Sequence, residues 1–554
     1  MLRLHLNIVF LLIAFVMKAQ WSSNSSVNNV ICNLSNNQQN PKIVTDGNGG
    51  AIVVWEDYRN DNTQTYADIY AQRIDKNGII KWAVNGIPIC TDLSHQSNPN
   101  IDFNNGNIVI IWNDYRNGNA DIYAQMIDTS GNIKWTSNGV PVISKPFSQK
   151  DGKVVLDNNN NAYVVFQDSS AGQWDIYAQK LNINGIQQWG TNGAVVCNAG
   201  NNQINPRVEL SNNGIYVVWQ DKRNGVDYDI YAQRLDANGN RKWNVANNGI
   251  WVCSIAGTQN NPKIDPMPKG FIVAWQDLRN GSDYDIYAQY IDSTGIAQWT
   301  TNGKVICNAT NNQSAIDLKT NNIDGSYIVW KDKRGGTYYD IYMQKISYTG
   351  NISWANNGIV ISNANYDQVN PNIAIDPSGD ALIVWQDSSN NEWDIYASKV
   401  SNSGNVLWTT VVSNAPNTQT NPKNISDNNG GTIVVWQDKR NNTTTKWDIY
   451  AQKVFSNGSL NSITEIVKYP KLKIWPNPSS SFIHIQLMDA FENNYLIQIF
   501  NLLGECVYEN KLLSLTSTIN TNLFPEGVYL IKIFNNDQFI LSSKFIKQWS
   551  EQNY

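Results

Sequence analysis

Trp436-Gln437-Asp438-Lys439-Arg440 and, after a short polar loop, Trp447-Asp448-Ile449-Tyr450-Ala451-Gln452 decide how this chain folds, because nearly the same words occur seven times before them. The aromatic of each aromatic-x-Asp core falls at Trp55, Trp112, Phe166, Trp219, Trp275, Trp330, Trp385 and Trp436. Each core is answered by an Asp-Ile-Tyr beginning at Asp68, Asp121, Asp175, Asp229, Asp285, Asp340, Asp394 and Asp448, in steps of 53, 54, 54, 56, 55, 54 and 54 residues. A fixed period of that size means an array of one supersecondary unit, and it outweighs the several domains that length alone suggests.

One unit reads as four strands. Residues 40–45 are extended, Asp46-Gly47-Asn48-Gly49-Gly50 is a turn, and Ala51-Ile52-Val53-Val54-Trp55 is a β-branched run buried on both faces. Asp68-Ile69-Tyr70-Ala71-Gln72-Arg73-Ile74 follows, then a turn at Asn77-Gly78 and, through Trp82, a last strand Ile87-Pro88-Ile89-Cys90. The turn glycine recurs at Gly131, Gly185, Gly239, Gly295, Gly350, Gly404 and Gly458, as a tight hairpin needing positive φ requires. Four strands per unit and no helix predict an all-β, eight-bladed β-propeller over residues 21–467. The mature chain opens with Trp21 and Val30-Ile31-Cys32, which match the last strand of a unit, whereas the eighth unit runs out after Val454. The N-terminal strand is therefore expected to complete the last blade and shut the ring.

The repeated residues have mechanical readings. Asp57 and Asp68 fall near each other, and Arg59 is placed to bridge them as a structural ion pair. A Gln follows the Cys slot by six residues in every unit, from Gln38 and Gln96 to Gln419, which fits a brace on the long connection. Five of the six cysteines, Cys32, Cys90, Cys197, Cys253 and Cys307, share one slot of successive units and lie too far apart for disulfides, so they read as small buried side chains. The repeat Trp219-Gln220-Asp221-Lys222-Arg223-Asn224-Gly225…Asp229-Ile230-Tyr231 resembles those of TolB-like β-propellers. That resemblance spans residues 21–460; it implies the fold and says little about activity.

The two ends carry the route of export. Arg3 and His5 precede an apolar run from Leu6 to Val16 and then Met17-Lys18-Ala19-Gln20, the layout of a signal peptide at 1–20, with an uncleaved anchor as the alternative. No second apolar segment follows, so no membrane span is expected in the mature chain. From residue 470 a new pattern of short alternating strands predicts a small β-sandwich over 470–548. Trp475-Pro476-Asn477-Pro478, the Leu503-Gly504 turn and Pro525-Glu526-Gly527-Val528-Tyr529 closely resemble the type A sorting domain of the type IX secretion system of Bacteroidota. The resemblance implies passage through the periplasm to the cell surface or the medium, with the secretion machinery as the partner of residues 470–548.

Function is less legible. A net charge of −5 and no basic run argue against nucleic acid. The only histidines are His5, His95 and His484, so neither a His-based triad nor a His zinc site is supported, and His95 reads as a solvated loop residue. The propeller holds four Glu, Glu56, Glu209, Glu392 and Glu465, and no catalytic residue is nominated. The leading expectation is a surface or secreted binding module for a glycan or protein; a polysaccharide-active hydrolase or lyase and a structural surface-layer component are the alternatives. Ten residues beyond each Cys slot, at the inner rim of the loop-rich face, the chain places Lys42, Asn100, Lys153, Arg207, Lys263, Asp317, Asn372 and Lys423. Five cations against one acid favour an anionic group there, beside the plainer reading of solvated side chains. Units one and eight have the longest loops, 60–66 with Tyr66 and 441–446 with Lys446, and form a raised patch that breaks the symmetry. Units three and seven keep both acids, Asp168 with Asp175 and Asp387 with Asp394, but carry serines where the others carry Arg. A Ca²⁺ ion would relieve their repulsion, and hydrogen bonds from the serines are the alternative. No other cofactor is implied.

Overall fold

The computed structural model describes residues 21–61, 63–441, 446–460, 471–488, 495–512, 514, 516–535 and 538–548. The signal-peptide segment 1–20 and loop residues 442–445 lie outside the described residues. The chain divides into two compact units, one up to Ser462 and one from Ile463.

Among the described residues, the regular structure of the first unit is strand apart from one short 3-10 turn, in eight four-stranded antiparallel sheets. In the first sheet Gln38–Thr45, Ala51–Asp57, Asp68–Ile74 and Ile87–Cys90 pair in sequence order. Every residue of Ala51–Asp57 is buried, as a β-branched run with neighbours on both faces requires. Gly78 has φ +80°, and a Cβ there would sit 2.8 Å from the Trp21 backbone nitrogen, so the turn needs glycine for both conformation and space.

The repeated words build one polar cluster per sheet. In the first, the Trp55 indole and the Arg59 guanidinium both donate to Asp57 Oδ2, at 2.7 and 2.5 Å, and Arg59 lies 3.8 Å over the Tyr70 ring. Arg59 also donates to Cys32 Sγ at 3.2 Å, and burial first, then the Asp57 charge, pushes that thiol up to about 12. All six cysteines are free, the five slot cysteines buried and Cys506 exposed. Arg59 does not bridge the two carboxylates as the sequence led us to expect. Asp57 and Asp68 are register partners, but Asp68 is held by the Asn60 amide at 2.7 Å, and the same division recurs at Asn117 with Asp121 and Asn441 with Asp448. One cation already satisfied by a carboxylate, a ring face and a sulfur has no donor directed at the second acid.

Neighbouring sheets are stitched by a recurring bond. The Gln96 backbone N–H donates to the Ala67 carbonyl of the preceding unit, and the equivalents follow at Gln149, Gln203, Gln259, Gln313, Gln368 and Gln419, all within 2.6–2.8 Å. Gln38, at the start of unit one, makes the same bond to Trp447 of unit eight at 2.7 Å. The Gln side chains brace the connection as expected, Gln96 Nε2 donating to the Ser94 carbonyl at 2.6 Å. Asn29–Cys32 pairs with Asp448–Val454, completing the sheet that holds Thr432–Asp438 and Gln419–Ser426. Trp21 donates to the Lys76 carbonyl of unit one at 2.9 Å, just as Trp82 donates to Thr129 and Trp135 to Ile183 one unit on. The first strands of consecutive sheets touch in turn, and Gln38–Thr45 also touches Gln419–Ser426.

The described residues of the second unit form seven strands in sheets of three and four. Ile483, Ile485 and Ile519 from the smaller sheet share one core with Ile497, Ile531, Ile533 and Phe545 from the larger.

Candidate functional site

The first strands of the eight sheets converge on a polar cavity, and a β-bulge in each strand decides which side chains enter it. In Gln38–Thr45 the register shifts between Gln39 and Lys42, with Asn40 in the left-handed region at φ 56°. The same position is Asn98, Asn205, Asn261, Asn370 and Asn421, a residue type that tolerates that conformation, with Asp151 and Ala315 in the remaining two. An inserted residue re-aims the side chain that follows it, here Lys42 and its equivalents.

A cavity of about 700 Å³ is lined in one layer by Lys42, Asn100, Asp317, Asn372 and Lys423, and in the next by Asp102, Glu209, Asp265 and Lys319. An adjoining cavity of about 550 Å³ brings in Lys153, Arg207 and Lys263. A third, of about 340 Å³, is bordered by Asn261, Ala315, Asn370 and Asn421. The structure thus brings all eight residues of the expected rim position to adjoining cavities, directly after the bulge that holds the Asn positions. Asp102, Glu209, Asp265 and Lys319 were missed by the sequence reading, although they lie two residues further along the same strands, on the face that strand alternation assigns them.

The lining residues divide by what they do. Acceptors staple adjacent sheets: Asn100 accepts from the Val154 N–H at 3.4 Å, Asp102 from Leu156 at 2.7 Å, Asp265 from Thr320 at 2.7 Å and Asp317 from Ile373 at 3.1 Å. Two ion pairs cross between sheets, Lys263 with Asp317 at 3.2 Å and Lys319 with Asp265 at 2.7 Å. The remaining cations have no carboxylate within ion-pair distance among the described residues. Lys153 Nζ donates to the Asp151 and Gly152 carbonyls, and Arg207 to the Pro206 carbonyl.

Charge in the cavity is strongly perturbed. Burial, then the charge of Arg207, lowers Lys153 to about 7. Burial, then Lys42, lowers Lys423 to about 8, and burial lowers Arg207 to about 10. Lys42 is also lowered, by burial and by Lys263 across the cavity. Burial pushes Asp102 up to about 6, and burial together with the Asp265 charge pushes the Glu209 carboxyl above the usual carboxylate range. A carboxyl of raised proton affinity sharing a cavity with a carboxylate bound to lysine is an arrangement suited to proton transfer to and from a bound ligand.

The other expected sites lie apart from this cavity. Lys145 Nζ, from the connection ahead of unit three, sits 3.2 Å from Asp168 Oδ2 and 4.1 Å above the Tyr177 ring, the place Arg takes in sister units. The repulsion that called for calcium is therefore relieved there by an ammonium group. Asp175 accepts from Gln173 at 3.3 Å, Asp387 from the Ser389 N–H at 2.9 Å, and Asp394 from Asn390 at 2.9 Å. Among the described residues no group of three or more His, Cys, Asp or Glu is placed to hold a metal. Tyr66 is exposed and its N–H donates to Asp61, while the half-buried Lys446 borders the undescribed residues 442–445. Asn37 links the two long loops, accepting from the Trp447 N–H at 3.0 Å and donating to Gln64. His95 is not a solvated loop residue: it is half-buried, and its Nδ1 accepts from the Ala67 N–H at 3.0 Å, as Asn202 does from Trp174.

An all-β repeat unit followed by a two-sheet unit defines an exported repeat protein once its C-terminal unit is compared with known families. Residues 473–548 match the secretion system C-terminal sorting domain, so the chain is delivered to the cell surface or secreted. No helix among the described residues is long and apolar enough to cross a membrane. The chain is similar to the ulvan lyase NLR42 of Nonlabens ulvanivorans, 28% identical over 142 residues, which is 24% of this chain and about a quarter, 26%, of that relative. Among solved structures it is similar to a protein of unknown function from Dyadobacter fermentans, with 10% identity, TM-score 0.36, and 77% of this chain and 98% of that one covered. It is also similar to PorZ of Porphyromonas gingivalis, a surface component of the type IX secretion system, with 12% identity, TM-score 0.31, and 92% and 70% covered.

Proposed function

We propose that this exported chain carries an eight-bladed, TolB-like β-propeller, closed by its N-terminal strand, whose central cavity acts on an extracellular polysaccharide. Closure is supported by the junction between units eight and one, where the Gln38–Trp447 bond and the contact of first strands repeat what every other junction does, and the Trp21–Lys76 bond repeats one made at five of them. The observation that carries the activity is the cavity itself: a polar chamber at the convergence of the sheets, lined by Glu209 together with the Asp265–Lys319 pair. Glycan cleavage needs a proton donor and a basic group flanking the scissile bond, the roles we assign to Glu209 and Asp265. The name of the ulvan lyase relative supports polysaccharide chemistry over a plain binding module. The test is a turnover screen of the purified chain on acidic and neutral polysaccharides, repeated with Glu209→Gln. Loss of product formation with substrate binding retained is the expected result. Turnover unchanged in the variant removes Glu209 from the chemistry, and no turnover on any polysaccharide returns the chain to a binding role.

A further inference from the structure

We propose that Lys42, Lys153, Arg207 and Lys423 form a binding site for the anionic substituents, carboxylate or sulfate, of an acidic polysaccharide. This rests on the cavity being the polysaccharide site and adds to it the charge class of the ligand.

The first reason is what these positions do elsewhere. Where the same strand position carries Asn100 or Asp317, its oxygen accepts the N–H of the next sheet and helps to hold the array together. A lysine or arginine has no acceptor and forfeits that staple. Four of the eight sheets give up the bond for a cation that joins no ion pair, so packing does not account for the choice.

The second reason is convergence. These cations come from units one, three, four and eight, yet they feel one another: Arg207 depresses Lys153, and Lys42 depresses Lys423. Lys42 and Lys423 ammonium groups have no hydrogen-bond or ion-pair partner among the described residues, and both line the 700 Å³ cavity. Like charges gathered in a half-enclosed space oppose folding, and an anion entering among them removes that repulsion while meeting donors already in place. Asp102, in the next layer, faces the same space and repels an anion moving deeper. The site therefore has a floor, which suits a substituent lodged part-way down rather than an ion passing through.

The experiment is isothermal titration of the purified full-length chain with three probes: a uronate tetrasaccharide, a neutral tetrasaccharide of similar length, and inorganic sulfate. The uronate probe is expected to bind, free sulfate to compete weakly for the same site, and the neutral probe to bind at least tenfold more weakly. Lys42→Gln with Lys423→Gln should weaken uronate binding by about tenfold for each ammonium removed, while the urea midpoint stays the same or rises because like-charge repulsion is relieved. Lys423→Arg should keep binding, and Lys134→Gln, in a surface ion pair with Asp128, should leave it unchanged. Neutral and uronate probes binding alike, with affinity indifferent to the double variant, would overturn the anion site and leave the polysaccharide reading standing. Binding of free sulfate alone would overturn both, making this a small-ion site, and no binding by any of the three would overturn the inference as well.

Discussion

Replacing Lys145 by methionine tests how the repeat tolerates loss of its own arginine. In unit three the buried carboxylate Asp168 has Phe166 where other units have an indole, so its donors are the Ser170 N–H at 2.7 Å and Lys145 Nζ at 3.2 Å. Asp168 is fully buried and the Lys145 side chain is 12% exposed. Removing one partner of a buried pair costs about 3–5 kcal/mol, and the slight exposure of the lysine puts the expected loss near the lower limit, about 3 kcal/mol, with the Tyr177 ring contact included. In Asp168→Asn no charge is left uncompensated, so the lysine change made on that background should cost about 1 kcal/mol. The assay is urea unfolding followed by tryptophan fluorescence for wild type, both single variants and the double variant, which isolates a coupling of about 2 kcal/mol. A Lys145→Met variant within about 0.5 kcal/mol of wild type, the range of ordinary surface changes, would refute the reasoning. So would a loss from the lysine change that is the same with Asp168 intact as in the Asp168→Asn background. Rescue of Lys145→Met by added Ca²⁺ would instead mean that Asp168 and Asp175 hold a metal once the ammonium is gone.

Three other outcomes follow from the same structure. Deleting residues 21–33 should leave the edge of Asp448–Val454 unpaired, lowering the urea midpoint and promoting aggregation in light scattering; unchanged solubility and midpoint would mean that the N-terminal strand does not close the array. Asp229 is pushed up to about 7, by burial and then by Asp227, so the folded state holds its proton more tightly than the unfolded chain and stability from this group falls as pH rises from about 4 through 7. Asp229→Asn should therefore gain stability over wild type at pH 8 and not at pH 4, and equal urea midpoints at pH 8 would count against the shift. Removing residues 470–554 should strand the chain in the periplasm of a type IX-competent host, and normal surface delivery on cell fractionation would contradict the role of the sorting domain.

Much was fixed by local chemistry and period. Aromatic-x-Asp and Asp-Ile-Tyr words at one spacing could only be a repeated strand unit, and β-branched runs such as 51–54 with Gly turns such as Gly78 set its strands and hairpins. The phrases around Trp475-Pro476 and Pro525-Glu526-Gly527 marked the secretion domain before any fold was known. Period and propensity are properties of short segments, so they survive being read one segment at a time. What only the tertiary structure decided concerns groups far apart in the chain. Arg59 turned to one aspartate and a ring face, leaving Asp68 to Asn60; Lys145 supplied from another connection the charge that Ser169 and Ser170 could not; and His95 became an acceptor for a backbone N–H 28 residues away. Lys42 and Lys423 are 381 positions apart in sequence, and a one-residue bulge in each first strand, invisible to composition, turns both into the same cavity. Which charges meet depends on how eight sheets pack against one another, and no single strand carries that information.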